Sequence, residues 1–173
     1  VRGFLTESRL SAADIDDNCL KAACKQVELR ESILIKEIEE LFDKKEQYDA
    51  VIMSHVLEHT LRPADTVRGL YDMIKPGGIM VLAVPNPVRP SVFMAALRKR
   101  HYVNKGHAYA WDRSHWMNFL ENILGLEVIC YSQDFFLFPD SRKSRLLVRI
   151  GEFFSRFFPW LSFSNIAVIR KTE

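Results

Sequence analysis

The 173 residues are 48% hydrophobic and 27% charged with a formal net charge of +2, the balance of an ordinary globular chain with no general attraction to nucleic acid. No apolar run approaches the ~20 residues needed to cross a bilayer, and no charged segment leads into an apolar core as in a signal peptide. The three cysteines, Cys19, Cys24 and Cys130, lack metal-type spacing and are expected to be small, buried, reduced thiols in a cytoplasmic protein.

Residues 1–13 show little pattern beyond Gly3-Phe4-Leu5-Thr6-Glu7. Asp14-Ile15-Asp16-Asp17-Asn18 opens a new element, in which Asp16 or Asp17 caps a helix with an apolar face of Cys19, Leu20, Ala23 and Val27. Ser32 to Lys36 reads as a short strand, followed by the acidic run Glu37-Ile38-Glu39-Glu40. That run has a plain alternative as a solvated helix, and the three acids at 14, 16 and 17 have one as helix caps. Ala50-Val51-Ile52-Met53 is apolar on both faces and predicts a strand buried in a parallel sheet. Its character then changes at once: Ser54, His55, Glu58 and His59 place polar groups just past a strand end, where open α/β sheets bind ligands.

Pro63 suits the first turn of a helix, with Ala64, Val67, Leu70, Tyr71 and Ile74 as its core face and Gly77-Gly78 as its end. Ile79 to Val84 predicts a second apolar strand, stopped by Pro85-Asn86-Pro87. Residues 88–111 gather aromatic and basic side chains, including Phe93, Arg98, His101, Lys105, His107, Tyr109 and Trp111. They suit either an acidic acceptor or a plain surface loop. Asp112 starts a helix that turns Trp116, Phe119, Leu120 and Ile123 inward and ends at Gly125. Leu126 to Tyr131 and Asn165 to Arg170 predict two more strands. Between them, Leu146, Leu147, Ile150, Phe153, Phe154, Phe157 and Phe158 form a stripe beside Arg142, Lys143, Arg145, Arg149 and Arg156. Such a stripe packs on its own sheet or in a homodimer; a basic, aromatic helix can also touch a membrane surface through 142–161.

The phrase from Tyr48 to Asn86, above all Ile74-Lys75-Pro76-Gly77-Gly78 with the strand after it and Pro85-Asn86, resembles class I S-adenosylmethionine-dependent methyltransferases of the small-molecule type 11 and type 23 group. The resemblance implies a single domain over 1–173 with a Rossmann-like three-layer α/β sandwich, mostly parallel, whose last strand is antiparallel. It implies S-adenosylmethionine as cofactor and a small-molecule or sugar-type acceptor, with no nucleic-acid partner. By position, Asp14 with Ile15 meets the ribose hydroxyls, Glu37 and Ile38 meet the adenine, and Ser54 with His55 lies at the methionine end. Gly3 aligns with the last glycine of the family's first loop. His55 and His59 are the candidate proton-accepting catalytic groups, with Glu58 and His107 on the acceptor side.

One departure is plain: the family's acidic-Gly-x-Gly-x-Gly signature and its first strand are missing here. The resemblance implies that residues are lacking before 1 or between 10 and 13; otherwise the sheet is rebuilt and the chain is a non-catalytic binding relative. The spacing of His55, Glu58 and His59 also resembles the metal-binding segment of small-RNA terminal ribose methyltransferases, with His101, His107 or His115 to complete it. The first position there is usually glutamate, however, and no metal is expected.

Overall fold

A computed structural model of the chain describes residues 9–88, 90–98, 103–134, 153, 157–158 and 162–172. Gly3, His101 and most of 142–161 lie outside the described residues. The chain divides into two compact units, Val1–Asp43 and Lys44–Glu173.

In the first unit, strand β1 (Leu10–Asp14) pairs in parallel with β2 (Leu29–Leu34). Helix α1 (Asp17–Gln26) makes the crossover. Asp16 caps it, accepting the Asn18 amide at 2.8 Å, and Asp17 adds an acid to the first turn, where the helix dipole favours negative charge. Leu20, Ile35 and Leu41 are buried. Three expectations need correction here. The strand predicted at 32–36 begins earlier, at Leu29, because pairing with β1 extends the ladder beyond the strongly apolar residues. Cys19 and Val27 are exposed, since so small a unit gives the helix only a narrow buried stripe. All three cysteines, Cys130 included, are exposed rather than buried.

The second unit is a four-stranded sheet in the order β3-β4-β6-β5, formed by β3 (Tyr48–Ser54), β4 (Ile74–Pro85), β5 (Glu127–Gln133) and β6 (Ser164–Arg170). β3 and β4 are parallel, while β6 runs antiparallel to both of its neighbours, β4 and β5. Three strands therefore point one way and the last runs back between two of them, as expected. Met80, Leu82, Val84, Ala167 and Ile169 fill the core. β3 departs from its expected double burial: Met53 is buried but Ile52 is 74% exposed, because among the described residues β3 pairs on one edge only and packs mainly on one face.

Helix α2 (Pro63–Asp72) has Pro63 in its first turn and buries Thr66, Val67 and Leu70. It stops at Asp72, not at the glycine pair, and Ile74 already pairs with Tyr48. Gly77 and Gly78 instead serve the shift in register between Tyr48 and Ala50. Gly77 adopts φ 75°, and a Cβ on Gly78 would come within 2.7 Å of the Asp49 carbonyl oxygen. Helix α3 covers Pro90–Arg98. Helix α4 (Arg113–Asn118), capped by Asp112, runs on into a π turn over Phe119–Ile123. Trp116, Phe119 and Leu120 are buried as expected, but the widened turn leaves Ile123 exposed. Gly125, at φ 69°, ends the helical run. No helix of the described residues is long and apolar enough to cross a membrane.

Candidate functional site

The carboxyl end of β3 carries the densest chemistry. Ser54 closes the strand and is exposed. The next residue, His55, sits at φ 56°, in the left-handed region that non-glycine residues rarely adopt, with its amide bonded to the Ala83 carbonyl at 2.9 Å. A single turn of tight helix over Leu57–His59 then buries Leu57 and Glu58. The Glu58 carbonyl accepts the amides of Ala108 and Tyr109 at 2.7 and 3.3 Å, which ties the 106–109 loop beside this turn.

Three imidazoles therefore surround one buried carboxylate. His55 Nδ1 lies 3.7 Å, His59 Nε2 3.9 Å and His107 Nε2 4.0 Å from Glu58 Oε1. Glu58 is 1% exposed, and its Oε2 has no hydrogen-bond partner among the described residues. The rings of His59 and His107 meet edge to face, 4.6 Å between centroids and 89° between planes. His59 Nδ1 lies 3.1 Å from the Gly106 carbonyl oxygen, which can only accept, so that nitrogen carries the proton and donates it. Gly106 is needed there: it has φ 89°, and a Cβ on it would stand 3.3 Å from His59 Nδ1.

His55 is oriented from its other side. Its Nε2 lies 2.9 Å from Ser164 Oγ. The Ser164 hydroxyl donates its hydrogen to Asp134 Oδ2 at 2.6 Å, and the Ser164 amide donates to Oδ1 at 2.7 Å. Ser164 must then accept from His55, so Nε2 carries a hydrogen, and in the neutral ring Nδ1 holds the lone pair on the side of Glu58. Ser164 and Asp134 were not singled out in the sequence: Ser164 is 109 positions from His55, and only the pairing of β4 with β6 brings its strand alongside.

A cleft beside this cluster is lined by Asn86, Val103, His107, Tyr109 and Trp111 among others. Tyr109 and Trp111 stack at 5.4 Å, and buried Asn86 donates to the Ser162 carbonyl. His115, one of the candidate third histidines, instead pairs with Asp112 at the head of α4. Within 142–161, Phe153 and Phe157 are exposed and lie 4.9 Å apart.

The first unit has its own strand-end acids. Asp14 closes β1, and Glu37 follows β2 by three residues, so both leave the carboxyl ends of a parallel pair. Asp14 Oδ1 accepts the Asp16 amide at 2.8 Å, and a carboxylate has further lone pairs for two hydroxyls. Ile15 is 72% exposed, Glu37 is exposed and Ile38 half-buried. A solvent-accessible carboxylate with an apolar neighbour, half-buried at Asp14 and exposed at Glu37, suits the ribose and base of a nucleoside. The donor set at Asp14 and Glu37 thus fits a nucleoside cofactor.

Residues 9–131 match the family described as a methyltransferase domain. The fold is similar to several solved structures. One is the complex of the Haloferax volcanii Trm112 methyltransferase activator with a methyltransferase, at 15% identity and a TM-score of 0.66 over 99% of this chain and 76% of that one. A second is a SAM-dependent methyltransferase from Archaeoglobus fulgidus, at 18% identity and 0.58 over 93% and 75%. A third is the N-methyltransferase NodS from Bradyrhizobium japonicum, at 18% identity and 0.56 over 95% and 74%. No curated protein matches significantly.

Proposed function

The chain belongs to the methyltransferase domain family and has its Rossmann-like α/β fold, and from that premise we propose that it transfers a methyl group from S-adenosylmethionine to an oxygen, nitrogen or carbon of a small-molecule or sugar-type acceptor. The observation that carries the reading is the oriented His55 at the end of β3, with its Nδ1 lone pair directed by the Ser164–Asp134 chain. The cofactor supplies an electrophilic methyl on a sulfonium, and the acceptor must lose a proton as it attacks. Histidine suits that task near neutral pH, and positioning supplies much of the remaining rate.

In this reading Asp14, beside Ile15, holds the ribose hydroxyls, Glu37 the adenine amino group, and Ile38 the face of the base. Ser54 and His55 stand at the methionine end. His55 Nδ1 takes the acceptor's proton, while Glu58, His59 and His107 orient the acceptor. Gly3 would add a close backbone approach to the cofactor. Association with a protein partner belongs to the Haloferax neighbour; for this chain a small-molecule partner is proposed, with 142–161 as the segment for self-association or membrane contact.

The second reading is a methyltransferase-like binding module that shares the fold but does not transfer a methyl group. Calorimetric titration with S-adenosylhomocysteine separates the two. Saturable binding in the micromolar range is expected, weakened about tenfold to a hundredfold by Asp14→Ala, as loss of a hydrogen bond to a charged group implies. No binding to a sample shown folded by circular dichroism would overturn the enzyme reading.

A further inference from the structure

We propose that helix α3 docks on an anionic phospholipid surface through its outward face. This docking is independent of methyl transfer, since it uses only the residues that the helix turns to solvent. In α3 (Pro90–Arg98), Val92, Ala95 and Ala96 recur at spacings of three and four on one side and are half-buried. Met94, Leu97 and Arg98 share the opposite side and are exposed, Leu97 by 67% and Met94 by 44%. A helix at a protein surface ordinarily turns polar side chains outward. Here small residues face inward and large apolar ones face solvent. Val88 before the helix and Val103 after it are also exposed, so the apolar character continues at both ends.

Charge selects the occupant of this face. Between Val88 and Trp111 stand five Lys and Arg residues (Arg89, Arg98, Lys99, Arg100 and Lys105) and no Asp or Glu, while the rest of the chain holds 19 Lys and Arg against 22 Asp and Glu. The small net charge of the chain is therefore a basic stretch set on an acidic remainder. Arg98 and Lys105 are both exposed. Whatever covers the face must take apolar side chains and positive charges together. A second copy brings bases against bases, with no acid in the stretch to pair them. A protein partner fixes its orientation through anchors seated in pockets and through paired polar groups; Met94 and Leu97 are flexible aliphatic chains beside charges of one sign. An anionic bilayer meets both demands at once. Its acyl boundary takes Met94 and Leu97, its headgroups attract Arg98 and Lys105, and a fluid surface asks for no pocket.

The place of the helix in the fold gives this contact a consequence. Val92 of α3 and Val103 line the same cleft as Asn86, Tyr109 and Trp111. The inward side of α3 is thus one wall of the cleft, and its outward side is the docking face. Docking through Met94 and Leu97 holds that wall beside the lipid.

Flotation of the full chain with vesicles of equal parts phosphatidylglycerol and phosphatidylcholine tests the face, with vesicles of phosphatidylcholine alone as the reference. Binding to the anionic vesicles is expected to be at least about tenfold tighter. It is expected to fall at least about tenfold when salt rises from about 0.1 M to about 1 M, which shortens the screening length from about 10 Å to about 3 Å. The double substitution Met94→Glu with Leu97→Glu is expected to abolish binding, and Arg98→Glu with Lys105→Glu to weaken it at least about tenfold. All four side chains are exposed, so circular dichroism should find both variants folded. Absence of binding to the anionic vesicles would overturn the proposal, as would binding that survives both double substitutions. Binding abolished by Phe157→Glu but untouched by the two α3 variants would place the contact in 142–161 and overturn it too. A dimer in solution that Leu97→Glu dissociates, with no vesicle binding, would give the face to a second copy instead. S-adenosylhomocysteine titration is read separately, so failure of either result leaves the other standing.

Discussion

His55 pairs an unusual backbone with a directed side chain. A left-handed φ of 56° costs a residue with a Cβ on the order of 1 kcal/mol more than it costs glycine. The position keeps a histidine nonetheless, with both ring nitrogens engaged: one on Ser164, the other toward Glu58. His55→Gly and His55→Ala remove the same ring contacts but differ in backbone strain. Urea denaturation should therefore find His55→Gly about 1 kcal/mol more stable than His55→Ala, while both lose methyl transfer. If the glycine variant is no more stable, the left-handed conformation is not what the site imposes. At this scale much of the site was legible, because Ser54, His55, Glu58 and His59 follow an apolar strand directly and His107 sits in an aromatic run. Ser164 and Asp134 were not legible, since no local pattern marks a serine at the start of a distant strand as the support of a histidine. Cysteine burial was misjudged because thiol size predicts burial only where a core exists to receive it.

Two elements depend on single residues at their edges. Gly78 lets β4 pass close to β3 where the register shifts: a Cβ would meet Ile74 Cγ2 at 2.6 Å and the Asp49 carbonyl oxygen at 2.7 Å. Backbone cannot yield as a flexible side chain does, so Gly78→Ala should destabilise by about 2 kcal/mol. A thermal-melt change within error would show that the strand pair adjusts. Asp112 does comparable work for α4, accepting the amides of Ser114 and His115 at 2.9 and 3.1 Å as well as the His115 ring. Partial burial pushes its carboxyl up, but these hydrogen bonds outweigh that effect and hold it below the usual carboxylate range. A lowered folded value means that the unfolded chain binds the proton more readily. The cap's contribution is thus complete above the unfolded value of about 3.9 and is lost as pH falls through the lower folded value. Asp112→Ala should cost about 1 kcal/mol at pH 7 and less at pH 3; an equal cost at both would contradict this. The sequence announced this cap and the apolar strand at 79–84 because each is a local signal. It misplaced the end of α2 because Gly77-Gly78 has the same residue chemistry whether it stops a helix or relieves a crowded strand pair.

The two units differ in what holds them. The first buries Leu20, Ile35 and Leu41 beside a two-stranded sheet and one helix. A two-stranded sheet of that kind is marginal on its own. The second buries Leu57, Val67, Ile74, Met80, Leu82, Val84, Trp116, Leu120, Ala167 and Ile169, several of them fully, around four strands. Part of this contrast was legible, since β4 carries the continuous apolar run Ile79–Val84 while β1 and β2 mix apolar with polar residues; the number of elements sharing each core was not. Local opening free energies follow buried apolar contact and ladder depth. Amides of β1 and β2 should therefore exchange with deuterium at least about tenfold faster than those of β4 and β6, a gap of about 1.4 kcal/mol. The proposed nucleoside contacts at Asp14 and Glu37 lie on the faster unit, so saturating S-adenosylhomocysteine should slow exchange in β1 and β2 more than in β6, because a ligand stabilises the states that hold it. Mass spectrometry of exchanged peptides reads both effects in one experiment. Equal protection of β1 and β4 without ligand would refute the ranking. Slowing confined to the second unit would refute the assignment of Asp14 and Glu37.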